Sequence, residues 1–302
     1  MKSEAIPTVP DELLFETRFD RLCKYFTALR FALEHAGSMV SAARLYYLAK
    51  LKPGLVYRGL TAFAPGRIRC IPFRVAVGKT WNVYVRDNGQ DAPMLLEFFK
   101  NGRLAEMEKL NWKPQVIYDL GANIGIASLS LSTLNAEARI YGFEPLPANF
   151  EICRLNYSSL TKAHVFNCAV GFPSGTMSFE FQDSDLRGGR LAMNASLRSS
   201  ASHQRVEVEV WSVADLIDRK DLEPPDFLKV DVEGAEFDVL RGLGAYAKAV
   251  KGLHIETHSL ELRQNCVSWL EANGFKIIQE FRYPANMGAL WAEKVEFSER
   301  SF

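Results

Sequence analysis

Val116-Ile117-Tyr118-Asp119-Leu120-Gly121-Ala122-Asn123-Ile124-Gly125 is an apolar run that ends in an acid and then breaks into two glycines. The pattern predicts a buried strand, a tight turn and the start of a helix. That unit builds a nucleotide-type cleft at the carboxyl end of a strand. A dinucleotide turn keeps glycine in the middle of G-x-G-x-x-G so that backbone can approach a pyrophosphate. Here the middle position is Asn123. Asp119 at the strand tip would repel phosphate and suit a cofactor with a cationic amino-acid end. S-adenosylmethionine is that cofactor, and Asp119, Gly121, Asn123 and Gly125 are its first candidate contacts.

Working outward, strands and helices alternate from about residue 115, the mark of a mostly parallel sheet with helices on both faces. Strand candidates are 116–119, 138–143, 164–167, 227–231, 252–256, 274–280 and 289–295. The last two are joined by too short a loop for a crossover helix, so they pair antiparallel. Thr176 to Phe181 and Val206 to Trp211 alternate strictly and flank a polar stretch, 182–205, read as a lid or binding loop. Residues 111–302 thus form the main domain. Residues 54–110 read as a β/α lead-in, with strands at 55–57, 68–71 and 81–86 and a helix capped by Asp91 over 92–100. Residues 1–53 read as a helical extension. Its apolar and basic residues over 11–50 suit packing on the core or on a second copy, or peripheral contact with a membrane.

The later strand tips add to the cofactor constellation. Glu144, in Phe143-Glu144-Pro145, follows Gly121 by 23 residues, and an acid at this spacing can accept both ribose hydroxyls. Asn167 and the backbone of Ala169 end the third strand, where an adenine edge would lie. In an extended strand Lys229, Asp231 and Glu233 share one side. That side faces Asp119 across the crevice, where a cation would offset the acids. On the fifth strand His254, Glu256 and His258 share a side, with His258 nearest the open edge. Imidazole titrates near neutral pH, so His258 is the leading general-base candidate. Asp231, with Glu256 or His258, also forms an oxygen-rich cluster of the kind that suits a divalent metal. Arg187, Arg190 and Arg198 in the polar stretch read as acceptor contacts or as a solvated loop.

Composition narrows the classes further. Thirty-six basic and 36 acidic residues balance, which gives no argument for a nucleic-acid partner. No long uncharged apolar run predicts a membrane span. The five cysteines, Cys23, Cys70, Cys153, Cys168 and Cys266, are scattered and odd in number, which fits a reduced, cytoplasmic protein.

Taken together, Asp119-Leu120-Gly121-Ala122-Asn123-Ile124-Gly125, Phe143-Glu144-Pro145, Asn167-Cys168-Ala169-Val170-Gly171 and Lys229-Val230-Asp231-Val232-Glu233-Gly234-Ala235-Glu236 make residues 80–282 resemble the FkbM family of methyltransferases. The resemblance implies a Rossmann-like class I sheet of seven strands, the last antiparallel. It also implies methyl transfer from S-adenosylmethionine, with S-adenosylhomocysteine as product. The acceptor is expected to be a small-molecule or glycan hydroxyl, on a sugar, glycolipid or polyketide-type natural product. Two alternatives stay open from the residues alone: an NAD(P)-dependent oxidoreductase on a related sheet, and a non-catalytic S-adenosylmethionine-binding scaffold.

Overall fold

The computed structural model describes residues 18–51, 67–76, 79–100, 104, 107, 110–182, 185–191, 203–283 and 287–298. Its centre is a seven-stranded sheet of β3 (Val116–Leu120), β4 (Arg139–Phe143), β5 (Ala163–Phe166), β10 (Phe227–Val230), β11 (Gly252–Thr257), β12 (Phe275–Arg282) and β13 (Gly288–Lys294). The spatial order is β12-β13-β11-β10-β3-β4-β5. β13 runs antiparallel to both its neighbours, and the other pairs are parallel. The order reverses between β3 and β10, so a crevice opens at the carboxyl ends of those two strands.

Side-chain alternation fills both faces of this sheet. Ile117, Ile140 and Phe227 enter one apolar cluster, whereas Tyr118, Leu228 and Leu253 enter the other. Each such large side chain contributes about 1.5–3 kcal/mol when fully buried. Helices α4 (Ile126–Leu131), α5 (Pro147–Tyr157), α6 (Val213–Lys220), α7 (Glu236–Arg241) and α8 (Leu260–Ala272) cover the faces. Ser212 and Ser259 cap α6 and α8 by accepting from Asp215 N and Leu262 N.

The N-terminal extension and the lead-in pack together on the first face. Helices α1 (Arg18–His35) and α2 (Met39–Tyr46) lie against the antiparallel hairpin β1 (Ile68–Ala76) and β2 (Lys79–Arg86). Phe31, Leu45, Phe73 and Val83 belong to the same buried cluster as Ile117 and Trp291. The strand expected at 55–57 lies outside the described residues. The helix expected over 92–100 starts as α3 (Asp91–Leu95), and its continuation, Leu96–Lys100, is wound more widely. Asp91 is not its cap: Gln90 holds that position, and the Asp91 carboxylate turns inward to Arg86.

The polar stretch 182–205 is not wholly a loop. Asp185–Leu191 forms β8, antiparallel to β7 (Gly175–Gln182), because backbone left unpaired at the edge of β7 finds a partner there. With β9 (His203–Trp211) and the short β6 (Ala169–Val170) they make a second sheet, ordered β6-β9-β7-β8. Phe179, Val208 and Val210 pack with Leu146 and Ala169, which brings this sheet beside the crevice. Arg198 lies outside the described residues.

Candidate active site

The crevice holds a cavity of about 400 Å³ lined by Gly121, Asn123, Glu144, Asp231, Glu256 and His258, among others. The turn after β3 shapes its floor. Gly121 N and Ala122 N donate to Phe143 O at 3.1 and 2.9 Å, tying the turn to β4. Asn123 has φ 51°, in the left-handed region, which asparagine tolerates better than most residues. Its backbone N–H donates to Glu144 Oε2 at 2.8 Å. Its side-chain Oδ1 is buried and has no hydrogen-bond partner.

Three expected cofactor contacts fall elsewhere. Asp119 is fully buried beneath the floor, because β3 ends only after Leu120. It accepts from Ser128 Oγ at 2.5 Å and pairs with Lys229 Nζ at 3.1 Å, and it does not line the cavity. Gly125 opens α4 at φ 84° and faces Cys153 and Tyr157 rather than the cavity. Asn167 turns its amide back to the carbonyls of Glu144 and Pro145, at 2.9 and 3.0 Å, and braces that loop instead of an adenine edge. Pro145 and Ala169 do line the cavity, beside Phe143 and Val170.

Glu144 sits where its spacing placed it. Oε1 accepts from Leu146 N at 3.0 Å and Asn149 Nδ2 at 3.3 Å, and Oε2 from Asn123 N. Burial raises its pKa to about 7, against these donors and Lys229, which lower it. A diol needs the carboxylate as acceptor, so adenosyl-ligand affinity must rise as pH climbs through the Glu144 pKa. We expect about a tenfold gain between pH 6 and pH 8, read by calorimetric titration with S-adenosylhomocysteine. A flat profile would contradict this assignment.

The opposite wall comes from β10 and β11. β10 ends at Val230, one residue earlier than expected, and the chain then turns, with Glu233 at φ 52°. The shared side expected of Lys229, Asp231 and Glu233 is therefore made by a turn and not by one strand. Lys229 lies buried between Asp119 and Asp231, 3.7 Å from the latter, and donates to Gly121 O at 2.8 Å. Glu256 is buried on β11 and reaches the cavity.

His258 stands in a ring of acids. Nδ1 meets Glu236 Oε1 at 2.6 Å, and Nε2 lies 3.2 Å from Glu233 and 3.9 Å from Asp231. Burial favours the neutral ring, yet the three carboxylates outweigh it and raise the pKa to about 9. The surrounding acids thus favour the imidazolium, above the near-neutral titration expected from the sequence. Ligand atoms of Asp231, Glu256 and His258 lie within 4.8 Å of one another, a donor set that a divalent ion can use. Lys229 Nζ lies 3.7 Å from Asp231 in that set.

Several lining residues were not picked out from the sequence. Met94, Glu97 and Phe98 come from the lead-in, and Phe179 from the second sheet. Glu97 interrupts an apolar run, Leu95-Leu96-Glu97-Phe98-Phe99, and that interruption was the one available clue.

The residues present fit S-adenosylmethionine. Phe143, Leu146 and Val170 offer apolar walls for a purine, Glu144 an acceptor for the ribose diol, and Asp231 and Glu233 carboxylates for the cationic end. The unpartnered Asn123 Oδ1 leaves an acceptor that a ligand donor would satisfy.

Comparison with known proteins agrees with this geometry. A family model described as the methyltransferase FkbM domain matches residues 119–277. Methyltransferase sdnD of Sordaria araneosa is 26% identical over 193 residues, covering 54% of this chain and 74% of that protein. Hexuronic acid methyltransferase AglP of Haloferax volcanii is 26% identical over 217 residues, covering 72% and 82%. The 2-O-methyltransferase NoeI of Sinorhizobium fredii is 28% identical over 137 residues, covering 42% and 56%.

Proposed function

Because this chain belongs to the FkbM family of methyltransferases, we propose that it methylates a hydroxyl oxygen on a sugar, glycolipid or polyketide-type acceptor. The family sets aside the oxidoreductase and scaffold alternatives. The cofactor is S-adenosylmethionine, which supplies a methyl group already activated on a sulfonium. The name of one relative, a 2-O-methyltransferase, supports transfer to oxygen, and that of another, a hexuronic acid methyltransferase, supports a sugar acceptor. One observation carries the reading: His258, Asp231 and Glu256 converge on the cavity that also holds Gly121 and Glu144.

The chain's own part is alignment and the handling of one proton. Glu144 and Asn123 would hold the adenosyl end, and Asp231 and Glu233 would hold the cationic end. With Glu236, whose hydrogen bond raises the imidazole pKa most, those two carboxylates also favour the protonated form of His258. When they engage a cationic ligand instead, their hold on the imidazolium weakens and His258 can accept the hydroxyl proton. Glu236 fixes the ring through Nδ1 and leaves Nε2 toward the cavity. Glu256 supports the same site from β11.

Methyl-labelled S-adenosylmethionine and a panel of glycan and polyketide-type alcohols test this function. Label is expected on a hydroxyl, and should vanish for the matching deoxy compound. Label on nitrogen or carbon would refute it. His258→Gln should lower kcat by about 10²–10⁴-fold, with S-adenosylhomocysteine affinity changed by less than about threefold. Full turnover would remove His258 as the proton acceptor.

Among the described residues, no helix is long and apolar enough to cross a membrane. Cytoplasmic placement fits Cys70, Cys153, Cys168 and Cys266, which are free thiols. Exposed Phe26, Leu33, Met39 and Val40 on α1 and α2 favour a peripheral or self-association role for the N-terminal helices. We keep 1–53 as extension, 54–110 as lead-in and 111–302 as the catalytic domain.

A further inference from the structure

Glu144 is tied to a part of the chain outside the matched family domain. The Arg86 guanidinium, at the end of β2, is buried and grips Asp91 with two bonds, Nε to Oδ2 at 2.8 Å and Nη2 to Oδ1 at 3.0 Å. Asn88 Nδ2 and the Arg86 backbone N–H hold the same carboxylate at 2.7 and 2.8 Å. The guanidinium is thus fixed from the lead-in side. Its Nη2 also donates to Asn149 Oδ1 at 2.8 Å.

A guanidinium only donates, and a carboxamide has one accepting end and one donating end. Arg86 therefore dictates which way Asn149 points: its oxygen faces Arg86 and its NH₂ faces Glu144 Oε1 at 3.3 Å. We propose that Arg86 is a positioning residue for cofactor binding, which acts through Asn149 to keep the Glu144 carboxylate ionised. A donor stabilises the carboxylate, whereas a reversed amide would set an oxygen against it and favour the protonated acid. The protonated acid has one fewer acceptor for the ribose diol. The lead-in thereby tunes cofactor affinity from Arg86, which does not line the cavity, through Asn149, which does.

Other titratable groups act on Glu144 from the elements around it. Lys229 on β10 favours its ionised form. The Cys153 thiol on α5 is held neutral by burial. Glu97 of the lead-in and Asp231 and Glu233 beyond β10 line the same cavity. Asn149 lines that cavity too, so the relay is read from the pH dependence and not from the affinity at one pH. The inference rests on S-adenosylmethionine as cofactor and is independent of the acceptor.

Calorimetric titration of the full chain with S-adenosylhomocysteine from pH 6 to pH 9 tests it, with thermal melting alongside. Arg86→Gln and Asn149→Ala should each move the midpoint of the affinity profile from near 7 to about 8. That corresponds to roughly fivefold weaker binding at pH 7 and less than about twofold at pH 9. Arg86→Gln also leaves Asp91 buried without its partner. If that variant does not fold, Asn149→Ala, which keeps the Arg86–Asp91 pair, decides alone. An equal loss at every pH, or an unmoved midpoint, would overturn the relay while leaving the cofactor assignment intact. A wild-type chain that binds no S-adenosylhomocysteine at any pH would overturn both.

Discussion

Gly121→Ala will abolish detectable S-adenosylhomocysteine binding and markedly lower the melting temperature. Gly121 sits at φ 77°, and a Cβ there would lie 1.8 Å from the Asp231 carbonyl oxygen and 2.9 Å from its carbon. The obstacle is backbone, so no rotamer change relieves it. Two costs combine: about 1–2 kcal/mol for a left-handed alanine and about 1–3 kcal/mol for overpacking. The damage also falls on the site itself. Asp231 N donates to Leu120 O at 3.0 Å, and Lys229 Nζ donates to Gly121 O, so pushing Asp231 away breaks the join between β3 and β10. The Asp231 carboxylate moves with it. Gly175→Ala is the control, since nothing lies within 4 Å of its Cβ and its φ is ordinary. It should melt close to wild type. Binding by Gly121→Ala within about threefold of wild type would show that the turn can shift without harm.

The same turn shows how much of the protein is legible in its sequence. Strand, glycine and helix start are local features, and 116–125 declared them. Glu144 was legible by spacing, because adjacent parallel strands fix how far apart their tips lie. The roles of the acids were not. Asp119 and Asp231 are the same residue type at two strand tips, and only burial separates them: one is fully enclosed, the other partly open to the cavity. Burial depends on where a strand stops, and β10 stopped one residue sooner than its apolar pattern suggested. The charge of His258 was equally hidden, since Glu236 stands 22 residues away and meets it only once α7 and β11 are packed. The lead-in was least legible. Arg86 and Asn149 are 63 residues apart, and no periodicity announces a pair at that distance. A long-range polar contact leaves no trace in a hydrophobic pattern.

Lys229→Met should be among the most destabilising single changes outside the apolar core, at about 3–5 kcal/mol. It strands the carboxylate of Asp119, which is fully buried and keeps only the Ser128 hydroxyl as a hydrogen-bonding partner. Ser128 cannot offset a full charge, as it also shares a hydrogen bond with Tyr157 at 2.6 Å. Asp119→Asn should cost clearly less. Lys229 then retains Asp231 at 3.7 Å and Gly121 O at 2.8 Å, so its ammonium is not left alone. The double variant Asp119→Asn, Lys229→Met removes both charges and should be more stable than the sum of the two losses, by about 0.5–3 kcal/mol. Denaturant unfolding of the four proteins closes this cycle. Additive losses would mean that the pair does not couple and that Lys229 does not hold Asp119 in place. A positive coupling assigns the first acid to the fold and leaves the cation-binding role to Asp231 and Glu233.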